Sequence, residues 1–137
     1  MKHFILIALG LFAFGNCFSQ SPIGTWITKD DETGKQKAHV KIFESKGKLY
    51  GKIVKLLVKP KATVCDYCDG KNKDKPFMGM HVIYDMKKKG EEWTGLVYKA
   101  DMGKEFKGAL KMIDKNTLRV TGKFLFITRH QFWKRLN

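Results

Sequence analysis

Along most of the chain, apolar and polar residues alternate with a period of two, the mark of strands that bury one face. In residues 37–44, Ala38, Val40 and Ile42 share a face. In residues 48–57, Leu49, Gly51, Ile53 and Leu57 share one, while Lys48 and Lys52 point the other way. In residues 104–112, Phe106, Gly108, Leu110 and Met112 alternate with Lys107, Ala109 and Lys111. In residues 117–126, Leu118, Val120, Gly122, Phe124 and Phe126 alternate with Arg119, Thr121 and Lys123. Less regular stretches at 24–29, 80–87, 92–100 and 131–136 predict further strands. Turn signals separate them: Asp31-Glu32-Thr33-Gly34, Ser45-Lys46-Gly47, Lys88-Lys89-Gly90, Asp101-Met102-Gly103 and Asp114-Lys115-Asn116. Gly supplies positive φ at such turns, and Asp and Asn tolerate it.

No segment carries a sustained helical stripe, and a strand plus turn recurs about every ten residues. The expectation is an all-β fold: a small antiparallel up-and-down β-barrel of seven to nine strands, because closure removes exposed edges. Gly51, Gly95, Gly108 and Gly122 fall in mid-strand. Such glycines mark a bend or a close approach of another group; bends that curl the sheet are favoured over the other reading, that they open room for a ligand. The irregular stretch is 58–76, which holds two of the three prolines and the pair Cys65 and Cys68. A loop of that length in a small domain is often functional.

The N-terminus departs from this pattern. Met1-Lys2-His3 precedes an apolar run from Phe4 to Phe14, then Cys17-Phe18-Ser19. The run is too short to span a bilayer, and the layout is that of a secretory signal peptide. Residues 1–19 are therefore expected to be removed, leaving 20–137 as a single barrel domain with no transmembrane segment after cleavage. An uncut anchor, or a lipidated Cys17, is the alternative. Phe14-Gly15-Asn16 is a poor lipidation context. The expected location is exported, periplasmic or secreted, where disulfides persist.

The mature chain keeps two cysteines, in Cys65-Asp66-Tyr67-Cys68. Three readings compete. A disulfide pinning the long loop would contribute about 2 kcal/mol in the chain-entropy model. A redox pair would need a helix N-terminus, and Asp66 and Asp69 would raise the thiol pKa by like-charge repulsion. A metal site would need two further ligands, and His39, His81 and His130 are scattered. The disulfide is favoured. No cofactor and no metal is expected.

Catalysis finds little support. Ser21 and Ser45 have no nucleophile-elbow context. Asp30, Asp31 and Glu32 cluster at a turn, where carboxylates cap backbone N–H groups. A separated carboxylate pair of the glycosidase kind is not visible in sequence.

The 137 residues carry 27 Lys and Arg against 13 Asp and Glu, a formal net charge of +14. Loss of residues 1–19 would leave 26 basic against 13 acidic residues. Only Arg119, Arg129 and Arg135 are arginine, whereas bidentate phosphate and base recognition favours Arg. The lysines spread over outward strand positions. They read chiefly as a solvated surface, and secondarily as attraction to an anionic envelope surface of lipid or glycan. With the export signal, no nucleic-acid partner is expected.

Gly24-Thr25-Trp26 and the closing Trp133-Lys134-Arg135 resemble the lipocalin-like (calycin) barrels. There an indole on the first strand packs under an Arg from near the last strand and seals one end. The resemblance implies that role for Trp26 and for Arg135, with Arg129 as the other candidate. A longer series is more specific: Val40-Lys41-Ile42-Phe43, Gly47-Lys48-Leu49-Tyr50-Gly51-Lys52-Ile53, Cys65-Asp66-Tyr67-Cys68-Asp69-Gly70-Lys71, Lys73-Asp74-Lys75-Pro76-Phe77-Met78-Gly79-Met80 and Leu118-Arg119-Val120-Thr121-Gly122. Together they resemble the bacterial secreted family called domain of unknown function twenty-one forty-seven. The resemblance implies a lipocalin-like barrel and export, and no activity. Family members usually carry Asp-Pro before the Gly-Lys turn. This chain has Lys99-Ala100-Asp101-Met102-Gly103-Lys104 instead, which leaves any shared role of that hairpin open.

The leading expectation for function is non-catalytic binding of a small apolar or amphipathic molecule in the barrel. The inward candidates are Val40, Ile42, Leu49, Ile53, Phe106, Leu110, Leu118, Val120 and Phe124. They bring almost no polar group to orient a ligand, so a dry, filled core fits them equally. A surface interaction module is the rival class, and an enzyme the third.

Overall fold

The computed structural model describes residues 20–60 and 62–137. The expected signal peptide, with Cys17, lies outside the described residues. Eight long strands close an antiparallel barrel: β1 (Gly24–Lys29), β2 (Gln36–Ser45), β3 (Lys48–Leu56), β6 (His81–Lys89), β7 (Glu92–Lys99), β8 (Lys104–Asp114), β9 (Thr117–Phe124) and β10 (Ile127–Arg135). Two short strands, β4 (Val64–Cys65) and β5 (Lys75–Pro76), pair with each other in the long connection between β3 and β6. Around the barrel the order is β1-β10-β9-β8-β7-β6-β3-β2. Every neighbour pair is antiparallel, and β1 closes on β10 through Trp26 opposite Arg135. The period-two pattern therefore does what it must in a closed sheet: one parity fills the interior and the other meets water.

Two bulges shift that parity in ways the alternation does not announce. In β3, Ile53 pairs with Val40 but Lys55 pairs with His39, so Val54 is the extra residue. The inner position opposite Ala38 accordingly falls to Leu56, where the pattern had placed Leu57. In β6 the register slips between Tyr84 and Lys87, and Asp85 adopts a φ of 48°. Ile83 and Met86 then both reach the interior. A third departure concerns β9, expected to run to Phe126. It stops at Phe124, because Leu125 turns the chain at a φ of 53° and Phe124 pairs with Ile127.

The interior is filled over much of its length. Val40, Ile42, Leu49, Ile53, Leu110, Leu118 and Val120 are buried in one cluster with Trp26, Ile83, Met86 and Trp133. Phe106 is only half-buried. Phe124, expected to face inward, stands at the rim, mostly exposed and edge-on to Phe106 with ring centroids 5.7 Å apart. The early end of β9 brought it past the level at which the opposite wall covers it.

Up-and-down connectivity sorts the connections between two ends. One end has the tight turns at 46–47, 90–91 and 115–116, together with the start of β1 and the end of β10. The other has the loops 30–35, 57–80 and 100–103 and the turn 125–126.

Candidate functional site

The tight-turn end is sealed. Trp26 is fully buried and its indole N–H donates to the carbonyl of Pro22 at 2.8 Å. The Arg135 guanidinium lies over the indole, 4.4 Å from the ring centroid. Arg135 also donates to the carbonyls of Lys115, Ile23 and Ser21 at 2.8, 2.9 and 3.0 Å. A planar fork of donors meets three carbonyls at once, which a lysine could not do. Gly24 belongs to the same device: a Cβ there would lie 2.5 Å from Arg135 Nη1, and φ is +141°. Arg135, rather than Arg129, thus faces Trp26.

The opposite end is strapped by polar side chains. By register, Trp93, Gly95, Val97 and Lys99 share one face of β7, as do Arg129, Gln131 and Trp133 of β10. Asp31, from the β1–β2 loop, accepts a hydrogen bond from Lys99 at 2.7 Å and another from Gln131 Nε2. Gln131 Oε1 in turn accepts from the indole N–H of Trp133 at 2.7 Å. In the barrel order β7 and β10 are separated by β8 and β9, so the Lys99–Asp31–Gln131 bridge crosses the mouth. A second strap joins Lys37 of β2 to Asp101 after β7 at 3.1 Å, with Asp30 3.8 Å from the same amine. That bridge spans β3 and β6, and it uses the hairpin where the chain departs from the Asp-Pro pattern.

Charge at the strap is well defined. Partial burial pushes the Asp31 carboxyl upward. The hydrogen bonds from Lys99 and Gln131, with the charges of Lys99 and Lys37, outweigh that and hold it below the usual carboxylate range. Burial pulls Lys99 down, but its bond to Asp31 and the charges of Asp101 and Asp31 raise it above its ordinary value, against the opposing charge of Arg129. A carboxyl with a depressed native pKa contributes stability above its unfolded pKa and loses it as pH falls through the native one. An amine with a raised pKa contributes below its unfolded value and loses it as pH rises through the native one. The strap is therefore intact at neutral pH and opens only in acid, as the pH falls through and below the ordinary carboxylate range. We expect Asp31→Asn to lower the urea midpoint at pH 7, and the gap to the parent protein to close as the pH drops through that range. A gap independent of pH would show that Asp31 acts by packing alone.

The loop with the cysteines lies on the outer wall. Cys65 and Cys68 are joined, with Cα atoms 5.4 Å apart, and both are buried. Thiolates for redox or metal chemistry are accordingly not on offer in this state. The loop is moored by Tyr67, whose hydroxyl donates to the Ala100 carbonyl at 3.0 Å, and by Asn72, whose amide donates to the Tyr84 hydroxyl at 2.9 Å. Lys71 sits over the Tyr84 ring, 3.8 Å from its centroid. Between loop and wall is an open cleft of about 410 Å³ lined by Asp69, Lys71, Asn72, Tyr98 and Glu105. The Tyr98 hydroxyl is buried and has no hydrogen-bond partner among the described residues. Among the described residues no cluster of three or more His, Cys, Asp or Glu side chains is arranged to hold a metal ion, and no helix is long and apolar enough to cross a membrane.

Of the apolar inner residues that sequence reasoning singled out, the fold brings Val40, Ile42, Leu49, Ile53, Leu110, Leu118 and Val120 together as a core and leaves Phe106 and Phe124 outside it. It missed Lys99 and Gln131, and it read Asp31 as a turn cap, a role that Asp30 fills. The signal for the two missed residues was present: the phase set by Trp93-Gly95-Val97 places Lys99 inside, and the phase of Trp133 places Gln131 there.

An eight-stranded antiparallel barrel sealed at one end by Trp26 and Arg135 and strapped at the other has the architecture of a lipocalin-like barrel. The family model described as "Uncharacterized protein conserved in bacteria (DUF2147)" matches residues 24–135, and the chain belongs to that family. Among solved structures, protein HP1028 from the human pathogen Helicobacter pylori, described as belonging to the lipocalin family, matches with a TM-score of 0.73. It is 20% identical over 85% of this chain and 84% of that one, a likeness of fold. No curated protein matches significantly.

Proposed function

We propose that the protein is an exported, non-catalytic binder of one small amphipathic molecule, held in the mouth half of the barrel. The observation that carries this reading is the set of polar side chains, Lys99, Gln131 and Asp31, turned across the mouth of a barrel whose deeper half is lined mainly by apolar groups. A specific small-molecule site is mostly apolar with a few placed polar groups. Val97, Phe106 and Phe124 offer the apolar wall, and Lys99 and Gln131 the polar end. Room exists beside Gly122, whose inward Cβ position meets no atom within 4 Å. The filled core below limits the ligand to a small one. The bacterial family and the Cys65–Cys68 disulfide support export, together with the sequence of residues 1–19.

The test is to fill that room. Gly122 has an ordinary negative φ, so Gly122→Phe introduces a ring without backbone strain. With the neutral probe N-phenylnaphthylamine and the anionic probe parinaric acid, the parent protein is expected to bind both. Gly122→Phe should bind both roughly tenfold or more weakly, because a single aromatic ring takes the space of the probe's own, while the melting temperature stays put. Lys99→Met should weaken only the anionic probe. Failure of the parent protein to bind either probe, or unchanged binding by Gly122→Phe, would sink the reading.

A further inference from the structure

We propose that the β9–β10 hairpin tip, Phe124-Leu125-Phe126-Ile127, inserts into the interface of an anionic lipid bilayer, with Lys104, Lys107, Lys123 and Arg129 as its headgroup collar. Four consecutive large apolar residues project from the mouth end. Leu125 is 82% exposed and Phe126 is 101% exposed, and Phe124 and Ile127 are each more than half exposed. Contiguous apolar surface rimmed by polar residues marks an interaction site, whereas single exposed apolar residues need no explanation.

The turn itself is built against its local preference. A two-residue hairpin loop with positive φ at its first central position takes Gly there by preference. Here Leu125 occupies that position at a φ of 53°. The backbone strain serves no contact within the barrel, since the Leu125 side chain is in water. An observed outlier of this kind points to a role for the side chain itself.

Charge selects the partner. Lys107 pairs with Lys123 on the outer face, and Arg129 and Lys104 stand on the inner rim, all four exposed. Among the acids of this end, Asp30, Asp31 and Asp101 are already engaged by Lys37 and Lys99. The other acids of this end are Glu105, next to the cleft behind Tyr98, Glu32 in the β1–β2 loop, and Asp66, Asp69 and Asp74 in the long loop on the outer wall. Long basic side chains around an apolar wedge keep their stems on apolar surface and their heads among phosphates. The same end carries the exposed side chains of Met102, Val58 and Met78 on its other loops, a crown that would rest on the membrane with the tip leading. A convex tip suits a fluid interface, whereas a protein partner would need a pocket to receive it.

The experiment is co-sedimentation of the chain 20–137 with phosphatidylglycerol-rich vesicles and, separately, with pure phosphatidylcholine vesicles. The parent protein is expected to sediment with the anionic vesicles at low salt. Phe126→Asp, a change at a fully solvated side chain, should lower the partition coefficient roughly tenfold or more. The double variant Lys107→Glu with Lys123→Glu should lower it on anionic vesicles and flatten its salt dependence. Phe126→Trp should show a blue-shifted emission with vesicles and quenching by lipids brominated near the headgroup. Three results would overturn the proposal: no vesicle binding by the parent protein; binding that Phe126→Asp leaves unchanged, which would assign it to the general basic surface; or a dimer in sedimentation velocity that Phe126→Asp disperses, which would make a second copy the occupant.

Discussion

Trp26→Ala is expected to destabilise the protein by about 4 kcal/mol, in the range found when a fully buried Trp is truncated. Three losses combine. A large side chain leaves a cavity in the sealed end. The Pro22 carbonyl loses the indole donor. Arg135 loses the ring on which it stacks. For a domain of this size the melting temperature should fall by roughly 12–20 °C. Arg135→Lys gives the graded comparison, because it keeps the charge but cannot serve the carbonyls of Ser21, Ile23 and Lys115 together. It should cost about 1–2 kcal/mol. Thermal and urea unfolding of both variants checks the pair; a loss below about 1 kcal/mol for Trp26→Ala would mean that the end holds without its plug.

Gly95→Ala is the second large effect, at about 3 kcal/mol, the upper end of ordinary overpacking. The cause is the bulge in β6. It turns the carbonyls of Tyr84 and Asp85 toward β7, so that a Cβ on Gly95 would lie 2.6 and 2.7 Å from their oxygens. These are backbone atoms, fixed by the ladder and by Asp85, which accepts from the Tyr50 hydroxyl at 2.8 Å. Relief requires β6 and β7 to part. Gly122→Ala is the matched control, since its Cβ meets nothing within 4 Å. It should be neutral or stabilising by about 0.5 kcal/mol through the unfolded chain. Urea titrations of the two variants separate the explanations. Equal effects would mean that both glycines serve only to let the sheet bend.

That contrast also corrects the reading of mid-strand glycines as bends of one kind. Gly95 leaves room for backbone, Gly108 for the Val97 side chain, which a Cβ would approach to 2.2 Å, and Gly122 for open space. Sequence gives all three the same letter in the same phase. What separates them lies on neighbouring strands, and it depends on registers set by bulges.

Much of the architecture follows from the chain alone. Alternation in β2, β3, β8 and β9, with turn residues between, dictates an all-β meander, because a period of two can bury one face only in a sheet. The resemblance of Gly24-Thr25-Trp26 and Trp133-Lys134-Arg135 to the lipocalin-like barrels implies a seal by Trp26 with Arg135 or Arg129, and the structure decides for Arg135. The spacing of Cys65 and Cys68 suits a disulfide within one loop. The tertiary structure decided the rest. Lys99, Asp31 and Gln131 meet across separations of 68 and 100 residues, and only ring closure brings β7, the β1–β2 loop and β10 over one opening. In sequence, Phe124 to Phe126 read as the end of a strand whose apolar face turns inward, with Ile127 beyond it. The turn at Leu125 carries those side chains past the rim, because strand length in a closed barrel is set by the neighbour that pairs with it and not by where the alternation stops.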